Sequence, residues 1–523
     1  MKTLLFLLVA VSSLAYAQDV DILLKGGKIV DGSGNPWYYG DVAIKGGKIV
    51  QLGRLTNVTA TRVIDATGLI ISPGFIDVHT HIEGNDLMVP TAGNFIFDGV
   101  TSVVTGNCGG SNVNISKYFQ RLDSVKTSIN VATLIGHNSV RNAVMGDVQR
   151  SPTEEEQRKM EELVEQAMRD GAVGLSTGLI YVPGTYSKSE EVISLAKAAA
   201  KHNGVYASHI RDEGDKVTEA IEEAVNIGRQ ARMPVEISHF KVTYKPNWGR
   251  SVSTIAQVDK ARQDGIDVTM DQYPYVASST TLNTTLPTWV FSGGRDSLMM
   301  RLKNSVQRKK IKTEMVDMLK KKQLKNYQYA LVARYGADTT LNGKRITEIN
   351  QMKGRKPKAI EEAETILEMI ENGSAQMVYF SMDEEDLKRI MRYPFNMFAS
   401  DAGIARYGSG VPHPRAYGTN ARVLGQYVRM LKVISLEEAI RRMTSLPAQK
   451  FQLRDRGLVR EGMAADVVVF NADQIGDPST FDKPHAYSTG FQYVIVNGQL
   501  VLDQNKHTGT RSGVVLKGPG QSK

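Results

Sequence analysis

The residues of this chain that could do chemistry gather at the ends of apolar runs. His79-Thr80-His81, Gly136-His137-Asn138, Ser208-His209 and Ser238-His239 each follow such a run, and His413 lies on a loop beyond another. The lone cysteine, Cys108, stands in Gly106-Asn107-Cys108-Gly109, and Asp401 follows Ser400. On a strand, an HxH pair places both imidazoles on one side because side chains alternate. Each motif alone has a plain reading: exposed or core-satisfied histidines, and a cysteine acting as a small buried hydrophobe. Together His79, His81, His209, His239, Cys108 and Asp401 offer four imidazoles, a thiolate and a carboxylate. That set suits zinc, a borderline-soft ion that takes nitrogen, sulfur and oxygen ligands.

The elements that must position these groups alternate along the chain. Strand-like runs fall at 74–77, 101–105, 131–135, 172–175, 205–208, 235–238, 267–270 and 396–400. Helical patterns separate them. Thr153 with Glu156 forms a capping box, and Met160, Leu163, Val164, Ala167 and Met168 follow at helical spacing until Gly171. Ser187 with Glu190 reads the same way ahead of Val192, Ile193, Ala196 and Ala199. Eight strands with intervening helices predict an α/β fold, a (β/α)₈ TIM-like barrel whose strand ends share one functional face. A doubly wound open sheet is the alternative.

Two further units are expected. From Tyr275 to Phe395 there is more chain than one helix needs. An insertion between strands seven and eight follows, an inserted subdomain or lid over 291–358, with 377–382 (MVYFSM) a strand of unassigned place. Both ends of the chain are β-rich, with glycine-marked turns and an Asn497-Gly498 hairpin signal. They predict one small β-sandwich domain from 18–72 and 455–523, around a metal-binding barrel of 73–290 and 359–454.

Composition narrows the class. Hydrophobic residues make up 41% and charged residues 23%, proportions of a globular protein rather than a disordered or fibrous one. One cysteine excludes an internal disulfide framework and a thiolate-rich zinc finger. The net charge of +9 is concentrated in the basic stretch 301–325. Val306, Ile311, Met315, Met318 and Leu319 recur there at helical spacing without aromatic stacking residues. It reads as a solvated helix face, and no nucleic-acid partner is expected. At the N-terminus, Lys2, an apolar run over 4–11 and Ala15-Tyr16-Ala17 read as a signal peptide over 1–17, cleaved near Ala17. The expectation is an exported protein, periplasmic or secreted, with no membrane span in the mature chain. In an oxidising compartment a free thiol is a liability unless buried or ligated.

At these residues the sequence resembles the D-aminoacylase (N-acyl-D-amino-acid deacylase) branch of the amidohydrolase superfamily. The matching pieces are PGFIDVHTH from Pro73, GVTSVVTGNCG from Gly99, GLSTGLIYVPG from Gly174, SHIRDEG from Ser208 and SHFK from Ser238. DQYPY from Asp271 and SDAG…PHPRAYGT between Ser400 and Thr419 complete the set. TGNCG and GLSTGLIYVPG are specific to this branch, whereas HTH and SD are shared across the superfamily. The resemblance implies that Cys108, His209 and His239 hold a tight zinc. It implies a second metal position at His79 and His81 with Cys108 as bridge, its filling left open. Asp401 would ligate metal weakly and serve as general base and then general acid, the catalytic residue of amide hydrolysis.

The implied substrate is a small N-acyl-D-amino acid, including dipeptides with a C-terminal D-residue. Its α-carboxylate needs cations and donors, and Arg415 can give a planar bidentate fork. By resemblance Lys241, Tyr273 and Ser279 join it. Without the resemblance, Lys241 and Tyr273 read as ordinary surface and core, and Arg415 as a structural ion pair. His137 and His413 are expected behind the site, orienting a ligand or closing the pocket. His202, His485 and His507 read as surface residues. Phe240, Ala402 and Ile82-Glu83 depart from the family pattern without removing a ligand. Two other classes compete. A cyclic-amide hydrolase of the hydantoinase or dihydroorotase type usually carries a bridging lysine, which Cys108 in TGNCG argues against. A non-catalytic metal-binding periplasmic protein has no need of Asp401 and Arg415. The sequence does not settle the oligomeric state.

Overall fold

Buried strands alternating with amphipathic helices fold the middle of the chain into a parallel barrel. The computed structural model describes residues 18–521, so the expected signal peptide lies outside the described residues. The eight barrel strands are Phe75–Asp77, Val100–Thr105, Asn130–Thr133 continued by Ile135–Gly136, Gly174–Gly178, Val205–His209, Val235–Ile237, Val268–Gln272 and Asn396–Phe398. Neighbours pair in parallel throughout. A parallel bridge between Thr80 and Ala402 joins the ends of strands one and eight. Ile76, Val104, Ala132, Ala207 and Met397, from five different strands, share one buried cluster, so the barrel is packed rather than hollow. The expected strands recur with small shifts, the largest being strand four, which starts at Gly174 rather than 172.

The helices follow their sequence signals closely but not everywhere. Thr153 caps Glu154–Asp170 in a full capping box with Glu156, and Gly171 ends it at φ 111°. Met160, Val164, Ala167 and Met168 face the barrel. The next helix, Ser189–Ala200, does not use Ser187 as its cap, because that hydroxyl donates to the Gly184 carbonyl 2.7 Å away.

The inserted unit is wider than 291–358. Its sheet has Gln376–Phe380 in the middle, antiparallel to both Ala277–Thr281 and Ala330–Arg334. Periodicity marked 377–382 as a strand but does not say which sheet a strand joins. Helices Gly294–Lys303, Ser305–Lys321 and Ala359–Glu371 pack on this sheet around Leu302, Ile311, Met315, Ile366 and Met377. The basic helix buries Ile311, Met315 and Leu319 and leaves Val306 exposed. Part of its charge is met within the unit, since Arg308 pairs with Glu364 and Glu371, and Lys312 with Glu364.

Both ends of the chain build one nine-stranded sheet, in which Val467–Phe470 lies antiparallel to Ile70–Pro73. Ile22, Val42, Ile71, Val467 and Ile495 close its core. The tail beyond 510 leaves that sheet and runs along the barrel, where Val131 donates to Val514 and Leu516 donates back to Val131. Among the described residues no helix is long and apolar enough to cross a membrane.

Asp98 ties three of these parts together. It precedes strand two and is buried. It accepts from the Asn420 and Ala421 backbone at 2.7 and 3.0 Å, in helix Arg415–Arg422, and from Ser488 Oγ at 2.7 Å. Asp98→Ala strands these buried donors, and we expect a loss of about 3 kcal/mol. It would show as a lower midpoint of thermal unfolding, with Asp98→Asn intermediate. An unchanged midpoint would contradict this account.

Candidate metal centre

Strand ends and backbone conformation aim the donor side chains into the barrel mouth. The Asp77 carboxylate, at the end of strand one, accepts from the backbone N–H groups of His79 and Ser400, both at 3.1 Å. Asp401 N–H donates to His79 O at 2.9 Å, and His81 N–H to Ala402 O at 2.9 Å. These bonds lock the ends of strands one and eight side by side. Cys108, His239 and Asp401 have φ of 52°, 38° and 50°, the left-handed region that costs a non-glycine residue about 1–3 kcal/mol. All three turn their side chains into one space. Gly178 permits the approach of strand four, because a Cβ there would lie 2.1 Å from the Cys108 carbonyl oxygen.

The donors converge as the sequence predicts. Cys108 Sγ lies 3.5 Å from His209 Nδ1, 3.7 Å from His239 Nε2 and 3.3 Å from His79 Nε2. A tetrahedral zinc spaces a sulfur and a nitrogen ligand about 3.5 Å apart. The Cys108–His209–His239 set fits that spacing at both sulfur contacts, while His209 Nδ1 and His239 Nε2, at 2.7 Å, are closer than two zinc ligands sit. A second set, His79, His81 and Cys108, shares the sulfur, and His79, His239 and Asp401 form a third. Asp401 Oδ1 is 3.2 Å from His81 Nε2 and 3.6 Å from His79 Nε2. Burial opposes a thiolate at Cys108, yet His79 and His209 hold its pKa well below the ordinary thiol range. Burial likewise opposes charge on Asp401, but Arg415, His79 and His81 hold its carboxyl well below the usual carboxylate range.

Buried carboxylates that sequence reasoning passed over orient these rings. His79 Nδ1 meets Asp271 Oδ2 at 3.1 Å, and Asp271 Oδ1 accepts from His239 N–H at 2.9 Å. Glu213 Oε1 lies 3.1 Å from His239 Nδ1 and 2.6 Å from Lys241 Nζ. Tyr181 stands over the His209 ring at 4.7 Å, its hydroxyl 3.0 Å from Thr280 Oγ1. Glu213 sits four residues after His209 in SHIRDEG, and Asp271 opens DQYPY, so both were within quoted motifs. A carboxylate beside a ligand histidine was the available signal.

The expected substrate groups are differently placed from one another. Arg415 is buried, with its guanidinium 4.5 Å from the Tyr273 ring and Nη2 donating to Ser279 O at 3.2 Å. Its Nη1 lies 2.7 Å from Asp401 Oδ2, but its N–H bonds do not point along that contact and have no other hydrogen-bond acceptor. Lys241 faces Glu213, and its Nζ also lies 2.7 Å from His239 O. The Ser279 hydroxyl is turned to Met377 O, so this residue meets Arg415 through its carbonyl. His413 accepts from Arg415 N–H at 3.0 Å and meets Ala277 O through Nε2 at 2.9 Å. It orients the arginine, not a metal ligand. His137 touches none of the donors. Its ring faces Glu191 at 2.8 Å in a buried network with Arg141, so the expected role of orienting a ligand is not met. His485, expected at the surface, is half-buried and hydrogen-bonded to the loop after strand eight. The donor set opens into a cavity of about 1630 Å³ walled by the barrel loops and the inserted unit.

Comparison with known proteins places this geometry. Residues 62–502 match the amidohydrolase family. The chain is 34% identical to D-aminoacylase of Alcaligenes xylosoxydans xylosoxydans over 96% of its length and 98% of the relative's. It is 35% identical to N-acyl-D-glutamate deacylase of the same organism, over 93% and 94%. The crystal structure of D-aminoacylase superposes with a TM-score of 0.82 at 34% identity, covering 95% of this chain and all of that one. N-acyl-D-glutamate deacylase of Bordetella bronchiseptica, solved with zinc and a phosphonate mimic of the tetrahedral intermediate, gives a TM-score of 0.82 over 96% of this chain. A D-hydantoinase shares the fold at 16% identity, with a TM-score of 0.56. The family match over most of the chain, the matched length of the relatives and the close superposition all agree: the chain belongs to the amidohydrolase family, in the branch of D-aminoacylase and the N-acyl-D-amino-acid deacylases.

Proposed function

We propose that this protein hydrolyses the amide bond of N-acyl-D-amino acids, including dipeptides with a C-terminal D-residue, to a carboxylate and a free D-amino acid. The observation that carries the reading is the position of Asp401. Its carboxylate stands between His79 and His81 on one side and the Arg415 guanidinium on the other, at the floor of the cavity. Zinc bound there supplies a nucleophile at neutral pH and polarises the scissile carbonyl. Cys108, His209 and His239 would hold one ion tightly, and His79 and His81 would hold a second beside Cys108. Crystallographic work on D-aminoacylase describes a binuclear centre with one-metal activation and second-metal attenuation, which supports one tight ion here.

The chain's own residues do the rest. Asp401, set between the histidines and Arg415, is placed to take a proton from the attacking water and return it to the departing amine, which leaves poorly without one. Arg415 lines the cavity beside Asp401, where its guanidinium would meet a substrate α-carboxylate. Ser279 O, the Tyr273 ring and His413 fix the guanidinium plane, so the substrate is placed relative to Asp401 before reaction. The alternative of cyclic-amide hydrolysis rests on shared fold alone, and Cys108 in TGNCG argues against it, since that class usually carries a bridging lysine. The leader-like residues 1–17 support action outside the cytoplasm, after export.

Three measurements test this reading. N-acyl-D-amino acids should be hydrolysed by the zinc enzyme and their L-enantiomers not; turnover of dihydrouracil alone would move the assignment to cyclic amides. Asp401→Asn should lower kcat about 10²–10⁴-fold with zinc content retained. Unchanged turnover would remove Asp401 from catalysis. Cys108→Ser should lose the tight ion on dialysis, read by metal analysis of the folded protein. Full zinc retention would show that the sulfur is not a ligand.

A further inference from the structure

The cavity is larger and more charged than an N-acetyl amino acid requires. Small-molecule pockets usually enclose about 300–1,000 Å³, and this one reaches about 1630 Å³. The wall supplied by the inserted unit is largely polar, with Ser278, Thr281, Asn283, Thr285 and Gln376 beside Lys322, Arg334, Tyr329 and Tyr379. Such a wall suits a chain of peptide groups better than a fatty acyl tail, whose burial against hydroxyls gains little.

Two guanidiniums stand over the same space. Arg334 ends a strand of the inserted unit, and Arg406 lies on the loop after Asp401. Both are exposed, and neither forms an ion pair or a side-chain hydrogen bond among the described residues. The acids that share the cavity rim are otherwise engaged. Asp212 accepts from the Gly214 and Lys216 backbone, and Asp215 from Asn247. The elements carrying the two arginines are joined, since Val411 N–H donates to Ala333 O at 2.7 Å and a Cβ added at Gly410 would lie 3.4 Å from Arg334 Cβ.

His485 fixes that loop. Its Nδ1 accepts from Gly408 N–H at 3.2 Å and from Tyr417 Oη at 2.8 Å. Its Nε2 donates to Gly410 O at 2.9 Å, and its own carbonyl accepts from Tyr407 Oη at 2.7 Å. The backbone that bears Arg406 is therefore held before substrate arrives, which lowers the entropy lost on binding.

We infer that Arg334 and Arg406 form a subsite for an anionic group on the acyl portion of the substrate, most simply a carboxylate borne by a peptidyl acyl chain. This rests on the deacylase reading above. The α-carboxylate is met by Arg415 and the scissile amide by the donor set, so the remaining positive charge faces what lies beyond the amide.

The test is a charge-only comparison on the zinc enzyme. N-(acetyl-L-glutamyl)-D-alanine and N-(acetyl-L-glutaminyl)-D-alanine differ by one charge and are nearly isosteric, and N-acetyl-D-alanine serves as reference. We expect kcat/KM for the glutamyl substrate to exceed that for the glutaminyl one about tenfold at low ionic strength, falling with added salt. In Arg334→Gln/Arg406→Gln the ratio should approach one. Because each ratio is taken within one protein, a general loss of activity in the variant cancels. A ratio near one in the unaltered enzyme, or a ratio unchanged in the variant, overturns the subsite. A charge preference for D-glutamate over D-glutamine as the released residue, without one on the acyl side, also overturns it. No hydrolysis of any D-substrate, N-acetyl-D-alanine included, would instead reject the deacylase reading.

Discussion

A cysteine sulfur set among three imidazoles beyond a barrel strand is the contact on which the rest of this structure depends. Burying an anion is costly unless opposite charge and donors surround it. Cys108 meets that condition only because three chain segments distant in sequence bring His79, His209 and His239 to within 3.7 Å of its sulfur. The same requirement propagates outward. Two of the three rings that face the sulfur turn their other nitrogen toward a carboxylate, His79 to Asp271 and His239 to Glu213. The acids are buried as well, and their charges are compensated within the cluster. The centre is thus one electrostatic unit rather than a list of ligands.

Arg415 is held by different elements from the donor set. The donors stand on barrel strand ends whose backbone is fixed by strand pairing and by Asp77. Arg415 instead leans on the inserted unit, since Ser279 O and Ala277 O, on that unit's edge strand, accept from Arg415 and His413. An edge strand has carbonyls to spare, and here two of them orient the guanidinium. The insertion therefore orients Arg415 as well as covering the cavity. Changes of substrate among related enzymes can arise in the insertion while the barrel ends keep their geometry.

The strands and the donor set were legible because both leave local marks. A buried parallel strand is a short apolar run, and five of the eight runs here lead into a histidine, the cysteine or Asp401 of the donor set. The eighth strand could be recognised across the insertion because Ser400-Asp401 ends it. What was not legible depended on partners far apart in sequence. The strand at Gln376–Phe380 shows the same pattern as a barrel strand and joins a different sheet, which widened the inserted unit. His137 follows a strand just as His209 does, yet its ring turns to Glu191, because it opens a helix and faces the layer between helices and barrel. His485 sits in a segment without periodicity, and nothing local shows that it binds the loop after strand eight.

That C-terminal segment explains why a small β domain made from both chain ends persists beside a complete barrel. Between Gly476 and Gly490 the chain crosses to the active face on its way back to the terminal sheet. Asp477 accepts from Tyr275 Oη at 2.8 Å, and the Tyr275 ring packs edge-on against His413, which in turn accepts from Arg415 N–H. Gly418 permits this approach, because a Cβ there would lie 2.1 Å from the Asp477 carboxylate. Ser488 bonds Asp98 and His485 bonds the loop that follows Asp401. The terminal sheet thus anchors a strap that holds the substrate-facing loops from behind. A barrel closed on itself holds its own strand ends; the long loop between Asp401 and Arg415 has no such closure, and the strap supplies it.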